Sequence, residues 1–468
     1  MKHLKYILLI LAMLSGQACD SLLELEPGDE IIAEEAINTP QDLQELLNAT
    51  YDVLRGSGGD FMGGRTQAIA EVMGDNIDGK PGSLDNADFL AYYNKSTSIF
   101  TGYTQAYFTE PHFLIYRANV LLQNLELEGL SDTERDRIEG EAKFLRALCY
   151  FDLVRLFAQP YGYTADNSHL GVVLRTTPES VAKDRNTVAE VYAQITADLA
   201  AAAAKLPTEN SIYANQWAAK ALLSKVYFHM HDYQSTYDLA NDVIENGPNK
   251  FNPNASELID RYSTTGTEEA IFKMVSNAND HRGEQFTAHF RSDGDNPPTL
   301  RIARELYEKA TADPADLRGQ NWYVVEDEGL ENEKISVKKF DGKNYFDVPL
   351  LHVTELKMVR AEAAAELNML DEGLADLNDI RMRAGLSEIE GPIGQATLIS
   401  RIRDEKRKEL VAEGVRFHDL RRIGAKGENI TINGSPWSCP GMSVQFPDIE
   451  IAGAGGTEFF TPNEEGGC

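Results

Sequence analysis

Cysteine is scarce in this chain, which has four in 468 residues. No two of them form a Cys-x-x-Cys pair, so a zinc site built on thiolates is not expected. Cys149 lies in the apolar stretch FLRALCYFDLVRLF, where we expect a buried and inert thiol. Cys439 and Cys468 lie in a tail rich in glycine and proline, and outside the reducing cytosol they would either form a disulfide or remain free thiols.

Positive charge is also in short supply. The chain has 44 lysines and arginines against 74 aspartates and glutamates, which gives a formal net charge of −30. A surface of this sign repels nucleic acid, and no long basic run supplies a compensating patch. We therefore expect no DNA or RNA partner.

Long apolar runs are missing except at the start, MKHLKYILLILAMLSGQAC. The apolar part, residues 6–14, is shorter than the roughly 20 residues that a spanning helix needs. A basic start, an apolar stretch and small residues predict that residues 1–18 are a secretory signal peptide. Cleavage after Ala18 would release a soluble exported protein. The lipobox-like residues before Cys19 favour lipid modification of that cysteine, which would anchor the protein to a membrane.

Catalytic and metal-binding motifs are lacking as well. No serine or cysteine nucleophile motif is present. The acidic runs DNIDGKPGSLDN and SDGDN do not have the ligand spacing and distal glutamate of a calcium loop. With 74 acidic residues, two carboxylates could always be chosen as a glycosidase pair, but no sequence feature selects one. We predict neither catalytic residues nor metal ligands.

Strand-like alternation is rare, whereas apolar residues spaced three and four apart are common, which predicts a mainly α fold. Short strands are expected only near residues 268–276 and 336–341. Helices are predicted at residues 41–55, 110–126, 133–158, 187–205, 214–229, 233–246, 352–368, 371–384 and 396–413.

Two of the predicted helix pairs, in residues 217–247 and 354–385, resemble each other. In both, small residues line the first helix and a short turn follows, as close packing in a tetratricopeptide-type hairpin requires. Two less regular blocks, residues 56–109 and 277–349, interrupt this helical scaffold. Because long loops on a rigid scaffold often carry function, we look for a ligand there.

A charged stretch near the C-terminus, IRDEKRKELVAEGVRFHDLRR (residues 402–422), is predicted to be helical and structural. Glutamates four residues apart repel each other unless cations lie between them. Gly414 fits a helix C-cap. His418 and Asp419 could form a base with its orienting group, but no nucleophile accompanies them. We expect a partly buried network in which the cations Arg401, Lys408, Arg416 and Arg421 neutralise Glu405, Glu409 and Glu413.

Seven segments of this chain resemble, in order, the SusD/RagB nutrient-uptake lipoproteins of Bacteroidetes outer membranes. The resemblance implies a SusD-like superhelix of tetratricopeptide-like helix pairs with long irregular loops and little β structure. It implies one SusD-like domain over residues 19–468, with halves at 19–250 and 251–468. The seven matching segments are, in order, LLELEPGDEIIAEEAINTPQDLQELLNATYDVLRG, AEVMGDNIDG, IYRANVLLQNL, GEAKFLRALCYFDLVRLFAQPYG, KDRNTVAEVYAQITADL, TELKMVRAEAAAELNMLDEGLADLNDIRMRAGL and DEKRKELVAEGVRFHDLRR.

What the resemblance implies is a lipoprotein on the outer-membrane surface that captures a nutrient, usually a glycan. Its partner would be a SusC-like TonB-dependent transporter, and no cofactor or reaction is implied. Two other functions stay open: a helical-repeat interaction protein without a small-molecule ligand, and a secreted glycan hydrolase.

Saccharides present apolar C–H faces and outward hydroxyls, so a binding surface combines exposed aromatic rings with polar partners. Trp322 is the first choice for such a ring, because its setting GQNWYV is polar. The alternative for each aromatic residue is that it packs a loop onto the scaffold. The candidate ligand-binding residues are Asp75, Asn76, Tyr92, Tyr93, Tyr103, Arg291, Trp322 and Tyr323.

Overall fold

Helices dominate the computed structural model, which describes residues 37–468 except 180, 265 and 466. The predicted signal peptide and Cys19 lie outside the described residues. The α-helices are α1 (Pro40–Val53), α2 (Arg65–Met73), α3 (Ala87–Tyr93), α4 (Gly102–Gln123), α5 (Asp132–Phe157), α6 (Val188–Lys205), α7 (Gln216–His229), α8 (Tyr233–Asn246), α9 (Glu257–Asp260), α10 (Glu284–Phe290), α11 (Arg304–Thr311), α12 (Leu317–Asn321), α13 (Val353–Glu366), α14 (Leu370–Arg383), α15 (Gln395–Glu409), α16 (Arg416–Ala425) and α17 (Asp448–Gly453).

Within the described residues, the β strands form three small antiparallel pairs, β1 with β4, β2 with β3 and β5 with β6. Together with the helices they confirm the mainly α fold. Their bounds are β1 (Ala270–Met274), β2 (Tyr323–Glu326), β3 (Lys334–Val337), β4 (Val348–His352), β5 (Thr431–Ile432) and β6 (Ser435–Pro436).

The predicted long helices are confirmed, and several begin at a clear N-cap. The side chains of Thr39, Ser131 and Thr187 each accept a hydrogen bond from the backbone amide three residues on. The acidic side chain at that later position in turn accepts a hydrogen bond from the backbone amide of the N-cap residue. This capping box satisfies backbone donors that the first helical turn leaves open. The blocks predicted to be irregular contain further short helices, α2, α3, α10, α11 and α12, whose apolar pattern is too brief to stand out from sequence.

The two helix pairs form the predicted hairpins, α7 with α8 and α13 with α14. His231 and Asn368 take positive φ angles at the two turns. The first helix of each pair buries its alanines, including Ala219 and Ala364. A Cβ on Gly373 of α14 would lie 2.9 Å from the Ala361 carbonyl oxygen, so the absence of a side chain lets these helices approach closely.

Helix α5 forms the centre of the larger core and is buried almost all round from Ile138 to Phe157. It packs between α4 and α6. A helix that is apolar or paired on every face belongs in an interior. The Cys149 thiol is fully buried and free on this helix, as predicted. Among the described helices, none is both long and apolar enough to cross a membrane.

A disulfide joins Cys439 to Cys468, with the two α-carbons 5.7 Å apart. It ties the end of the chain to the loop after β6. A cross-link of this kind stabilises a fold mainly by restricting the unfolded chain.

The charged stretch 402–422 is not a single helix. Helix α15 ends at Glu409, the chain turns with positive φ angles at Ala412 and Gly414, and α16 begins at Arg416. Gly414 therefore serves the turn between the helices and is not the C-cap, which is Leu410. A Cβ at position 414 would lie 2.7 Å from the Gln67 α-carbon. Both the positive φ angle and this close approach therefore require glycine at position 414.

The glutamates of this stretch are buried in a charge network, as predicted, but most of the cations are different. The Glu409 carboxylate accepts hydrogen bonds from Arg261 at 2.6 Å, Arg383 at 2.8 Å and Arg318 at 3.0 Å. Burial alone would raise the pKa of Glu409, but these three guanidinium groups hold it far below its usual value. Glu413 binds Arg261, Lys339 and His352, and burial is overcome there too, so its pKa is also lowered.

Of the four cations predicted to neutralise the glutamates, only Lys408 does so, at 3.3 Å from Glu405. Arg416 binds Asp75 instead, and Arg421 donates to the carbonyls of Arg155 and Ala158. Arg401 is exposed on the outer face of α15. The prediction failed because spacing along one helix cannot reveal cations that arrive from distant segments.

We expect Glu409→Ala to lower the free energy of unfolding by about 3–5 kcal/mol, because it leaves three buried guanidinium groups without their shared anion. Chemical denaturation followed by circular dichroism measures this change. Glu388→Ala, at an exposed glutamate, is the matched control and should stay within about 0.5 kcal/mol of the wild type. A Glu409→Ala protein as stable as its control would show that the network is not structural.

Candidate functional site

The two blocks without long helices pack against each other, and one of their junctions lies beside a surface groove. Ile77 and Ile302 form an isolated antiparallel bridge, and the amide of Asp78 donates to the Arg301 carbonyl at 2.8 Å. The Ala303 amide donates to the Asn76 carbonyl at the same distance. These backbone hydrogen bonds fix the loop after α2 against the segment that leads into α11.

A groove with a volume of about 380 Å³ opens beside this junction. We call it the polar groove. It combines the first block, the start of α11 and the β5–β6 turn. Its lining residues are Asp75, Ile77, Asp78, Gly79, Lys80, Tyr93, Ala303, Arg304, Glu305, Thr431 and Asn433.

Tyr93, the last residue of α3, supplies the aromatic surface of the groove and is half-buried. Its ring lies so close to the Gly79 backbone that a Cβ at position 79 would overlap it. The Lys95 ammonium donates to the Tyr93 carbonyl at 2.7 Å and lies 5.1 Å from the ring centroid. Burial lowers the pKa of Lys95 to about 8. Burial and the nearby Asp78 raise the pKa of the Tyr93 hydroxyl, which therefore remains a protonated donor at neutral pH.

Asp75 is held by the charged stretch described above. Arg416 binds both of its carboxylate oxygens, at 2.7 and 2.8 Å, and an Arg407 nitrogen lies 3.3 Å away. Burial would raise the pKa of Asp75, but Arg416 and Arg407 lower it overall. Asp75 is therefore an ionised carboxylate whose charge is balanced by Arg416 and Arg407 and whose side chain is still partly exposed to the groove.

Asn76 lies beneath the groove and its amide is already committed. Its oxygen accepts from Arg407 at 2.9 Å, and its nitrogen donates to Glu71 at 2.9 Å. Glu71 also accepts the Gly414 amide at 2.9 Å. Burial raises the pKa of Glu71 to about 7, against the opposing effect of these two hydrogen bonds. Asn76 is therefore buried and supports the loop, and the structure does not place it among the residues that line the groove.

The rim of the groove carries exposed polar side chains. Lys80 and Glu305 are exposed, Glu305 accepts a hydrogen bond from Arg407 at 2.9 Å, and Arg304 binds Glu333. Asn433 fixes its own position by donating to the Gly74 carbonyl at 2.8 Å. The lining contains no serine, cysteine or histidine among the described residues, and it offers carboxylates, cationic groups, hydroxyls and one aromatic ring.

Trp322 is not an exposed platform, which corrects the first choice made from sequence. Its side chain is only 2% exposed, and its indole N–H donates to the Leu258 carbonyl at 2.9 Å. The Lys339 ammonium lies 4.5 Å from the ring centroid. The polar neighbours that suggested exposure belong to the outer side of α12, whereas Trp322 turns inward where that helix meets β2.

The other aromatic candidates do not line the polar groove either. Tyr92 is fully buried and shares a hydrogen bond with Thr104 at 2.7 Å. Tyr323 is buried against Tyr307. Tyr103 is half-buried, with the Arg65 guanidinium 3.8 Å above its ring. These rings pack the loops onto the scaffold, which was the stated alternative.

Arg291 is likewise outside the groove. Its guanidinium binds Asp293 at 2.6 Å and the Lys343 carbonyl at 3.0 Å, so it stabilises its own loop. Of the eight candidates, the polar groove brings together only Asp75 and Tyr93.

The β5–β6 turn is a part of the groove that sequence reasoning missed. Asn433 and Gly434 both have positive φ angles, as a tight two-residue hairpin turn requires. The Asn-Gly pair in TINGSP is the strongest short-range signal for such a turn. It could have placed Asn433 at an exposed tip, although not beside Tyr93.

Comparisons with known proteins agree with this fold. Residues 22–228 match a family model described as "Starch-binding associating with outer membrane", and residues 227–450 match one described as "SusD family". The chain is 24% identical to SusD-like protein P2 of Formosa agariphila, over 92% of this chain and 93% of that protein.

Two solved structures show the same fold. A SusD superfamily protein from Bacteroides thetaiotaomicron superposes with a TM-score of 0.79 at 23% identity, covering 91% of this chain and 100% of the other. A structure described as a laminarin binding SusD-like protein superposes with a TM-score of 0.71 at 22% identity, covering 90% and 98%. Because the two family models follow one another across residues 22–450, this chain belongs to the SusD/RagB family.

Proposed function

We propose that this protein is a cell-surface lipoprotein that binds a glycan in the polar groove and passes it to a SusC-like TonB-dependent outer-membrane transporter. The observation that carries the proposal is the groove itself, where the half-buried Tyr93 ring lies among polar groups. The family description, starch binding with outer-membrane association, and the laminarin-binding neighbour support a glycan as ligand.

The groove suits a saccharide for physical reasons. One face of a sugar ring is apolar and can lie on Tyr93, while its hydroxyls find Asp75, Asn433 and Lys80 around the rim. Tyr93 and Asp75 are held by contacts that exist without ligand. Binding therefore costs little additional side-chain entropy.

Binding without hydrolysis is favoured by the state of Asp75. A glycosidase needs one carboxylic acid whose pKa is raised so that it can protonate the leaving group. Arg416 and Arg407 have the opposite effect on Asp75 and lower its pKa. Asp75 therefore does not suit the role of that acid, and Glu71, whose pKa is raised, is fully buried beneath the groove. These two carboxyl groups favour the capture of a glycan over its cleavage.

We expect Tyr93→Ala to weaken glycan binding by about 1–2 kcal/mol, or roughly five- to thirtyfold in Kd, because it removes the ring against which the sugar packs. Gly79→Ala should weaken binding as well, because the new methyl group displaces the same ring without removing it. Affinity gels containing starch, laminarin and other polysaccharides identify a ligand, and calorimetry then gives Kd.

Tyr163→Ala is the matched control, since Tyr163 is a partly exposed tyrosine outside the polar groove. Its affinity should equal that of the wild type. Wild-type affinity in both Tyr93→Ala and Gly79→Ala would place the glycan elsewhere.

The proposed anchor is a lipid on Cys19, which follows the predicted signal peptide. Several acyl chains hold a protein on a membrane far more firmly than one. Cys19→Ser should therefore shift most of the protein from the membrane fraction to the soluble fraction in cells that lack the transporter. In cells that contain it, the wild type should co-purify with the transporter. Membrane association of Cys19→Ser equal to that of the wild type would contradict the lipid anchor.

A further inference from the structure

A second groove, with a volume of about 370 Å³, lies between α4, the loop at residues 175–179 and α17. Its size is within the roughly 300–1,000 Å³ typical of small-molecule sites. We call it the aromatic groove. Its walls include Phe113 and Tyr116 of α4 and Ile449 of α17, whose side chains are 44%, 39% and 53% exposed. None of its lining residues belongs to the polar groove.

Two buried acceptor atoms in the lining have no hydrogen-bond partner among the described residues, His112 Nε2 and Glu450 Oε1. His112 Nδ1 lies 2.8 Å from the Phe108 carbonyl oxygen. Because a carbonyl only accepts, Nδ1 carries the proton and Nε2 of the neutral ring presents a lone pair. The nearest Arg175 nitrogen is 3.9 Å from Glu450 Oε1, which is too long for a hydrogen bond.

The frame of the aromatic groove is rigid. Asn119 donates to the carbonyls of Arg175 and Thr177, at 2.9 and 3.2 Å, and fixes the loop onto α4. Arg146 donates to the Asn119 oxygen at 2.7 Å and binds Asp198 through two hydrogen bonds. The groove is thus supported by a buried polar network, and its walls are in place without a ligand.

From these contacts we infer that the aromatic groove binds a neutral saccharide unit, as a second contact for the glycan that the polar groove captures. Partly exposed rings offer the apolar faces of a sugar a surface, and two unpartnered acceptors call for two hydroxyl donors. A purely apolar ligand would leave both acceptors unsatisfied. A cationic ligand would meet the Arg175 guanidinium beside Glu450.

The inference rests on the proposed function and adds a prediction of its own, that the protein prefers polymers. A chain that reaches both grooves binds the second one at a high effective concentration, so its affinity exceeds that of either groove alone. A short oligosaccharide occupies only one groove at a time, so its affinity does not increase through the second groove. The aromatic groove should therefore matter for polysaccharides and not for short fragments bound in the polar groove.

The test compares the double variant Phe113→Ala/Tyr116→Ala with the wild type and with Tyr163→Ala, on the polysaccharide that binds in affinity gels and on a short oligosaccharide from it. The double variant should lose about tenfold or more in polysaccharide affinity and keep its oligosaccharide affinity within about twofold. Saturation-transfer NMR on Tyr93→Ala should still detect weak oligosaccharide binding. That residual signal should disappear when Tyr116→Ala is added.

Equal polysaccharide affinity in the double variant and the wild type would overturn the second site and leave the polar groove unaffected. The absence of any residual oligosaccharide signal in Tyr93→Ala would do the same. A wild-type protein that binds no polysaccharide in the panel would overturn this inference together with the proposed function. Melting temperatures within about 2 °C of the wild type show that the exposed substitutions leave the fold intact.

Discussion

The carboxylate of Glu409 lies fully buried between three arginine side chains that come from distant parts of the chain. A single buried charge is very unfavourable, and the arrangement is stable only while every partner is present. Arg261 follows α9, Arg318 lies in α12 and Arg383 ends α14. The one carboxylate therefore requires three separate segments to meet α15 at the same point. Because Arg318 belongs to the block of residues 277–349, this requirement links the helical scaffold to the block that supplies Ala303, Arg304 and Glu305 to the polar groove.

The same stretch continues from this buried centre to the surface. Arg407, two residues before Glu409, reaches Asp75 and Asn76, and Arg416 binds Asp75 from the start of α16. Between them, the Gly414 amide donates to Glu71 below the groove. A loop that would otherwise depend on its own weak local contacts is thus fixed by ion pairs to the best-buried part of the molecule. The charged stretch is structural, and its structural role includes the position of the loop after α2, which lines the polar groove.

The sequence predicted the regular parts of this fold well and the site only in part. Helices such as α5 and α6 carry their own signals, an apolar period and a capping box, so they could be recognised locally. The partners of Glu409 could not, because nothing in the sequence near Arg261 or Arg318 reveals which anion they meet. Trp322 shows the same limit, since polar neighbours describe the chain on either side and not the direction in which a side chain points. Asp75 and Tyr93, both predicted from the first irregular block, line the polar groove, while Asn433 belongs to a hairpin with no link in sequence to that block.

The polar groove differs from the core beneath it in how its groups are held. Tyr93 is fixed by the Gly79 backbone, and Asp75 is fixed by two arginines, so both are positioned before a ligand arrives. Lys80 is exposed and retains rotamer freedom, whereas Glu305, although exposed, accepts a hydrogen bond from Arg407 at 2.9 Å. Fixed groups limit the entropy lost on binding, whereas mobile rim groups can adapt to different hydroxyl patterns at small cost. A surface built in this way favours moderate affinity and ready release of whatever it binds.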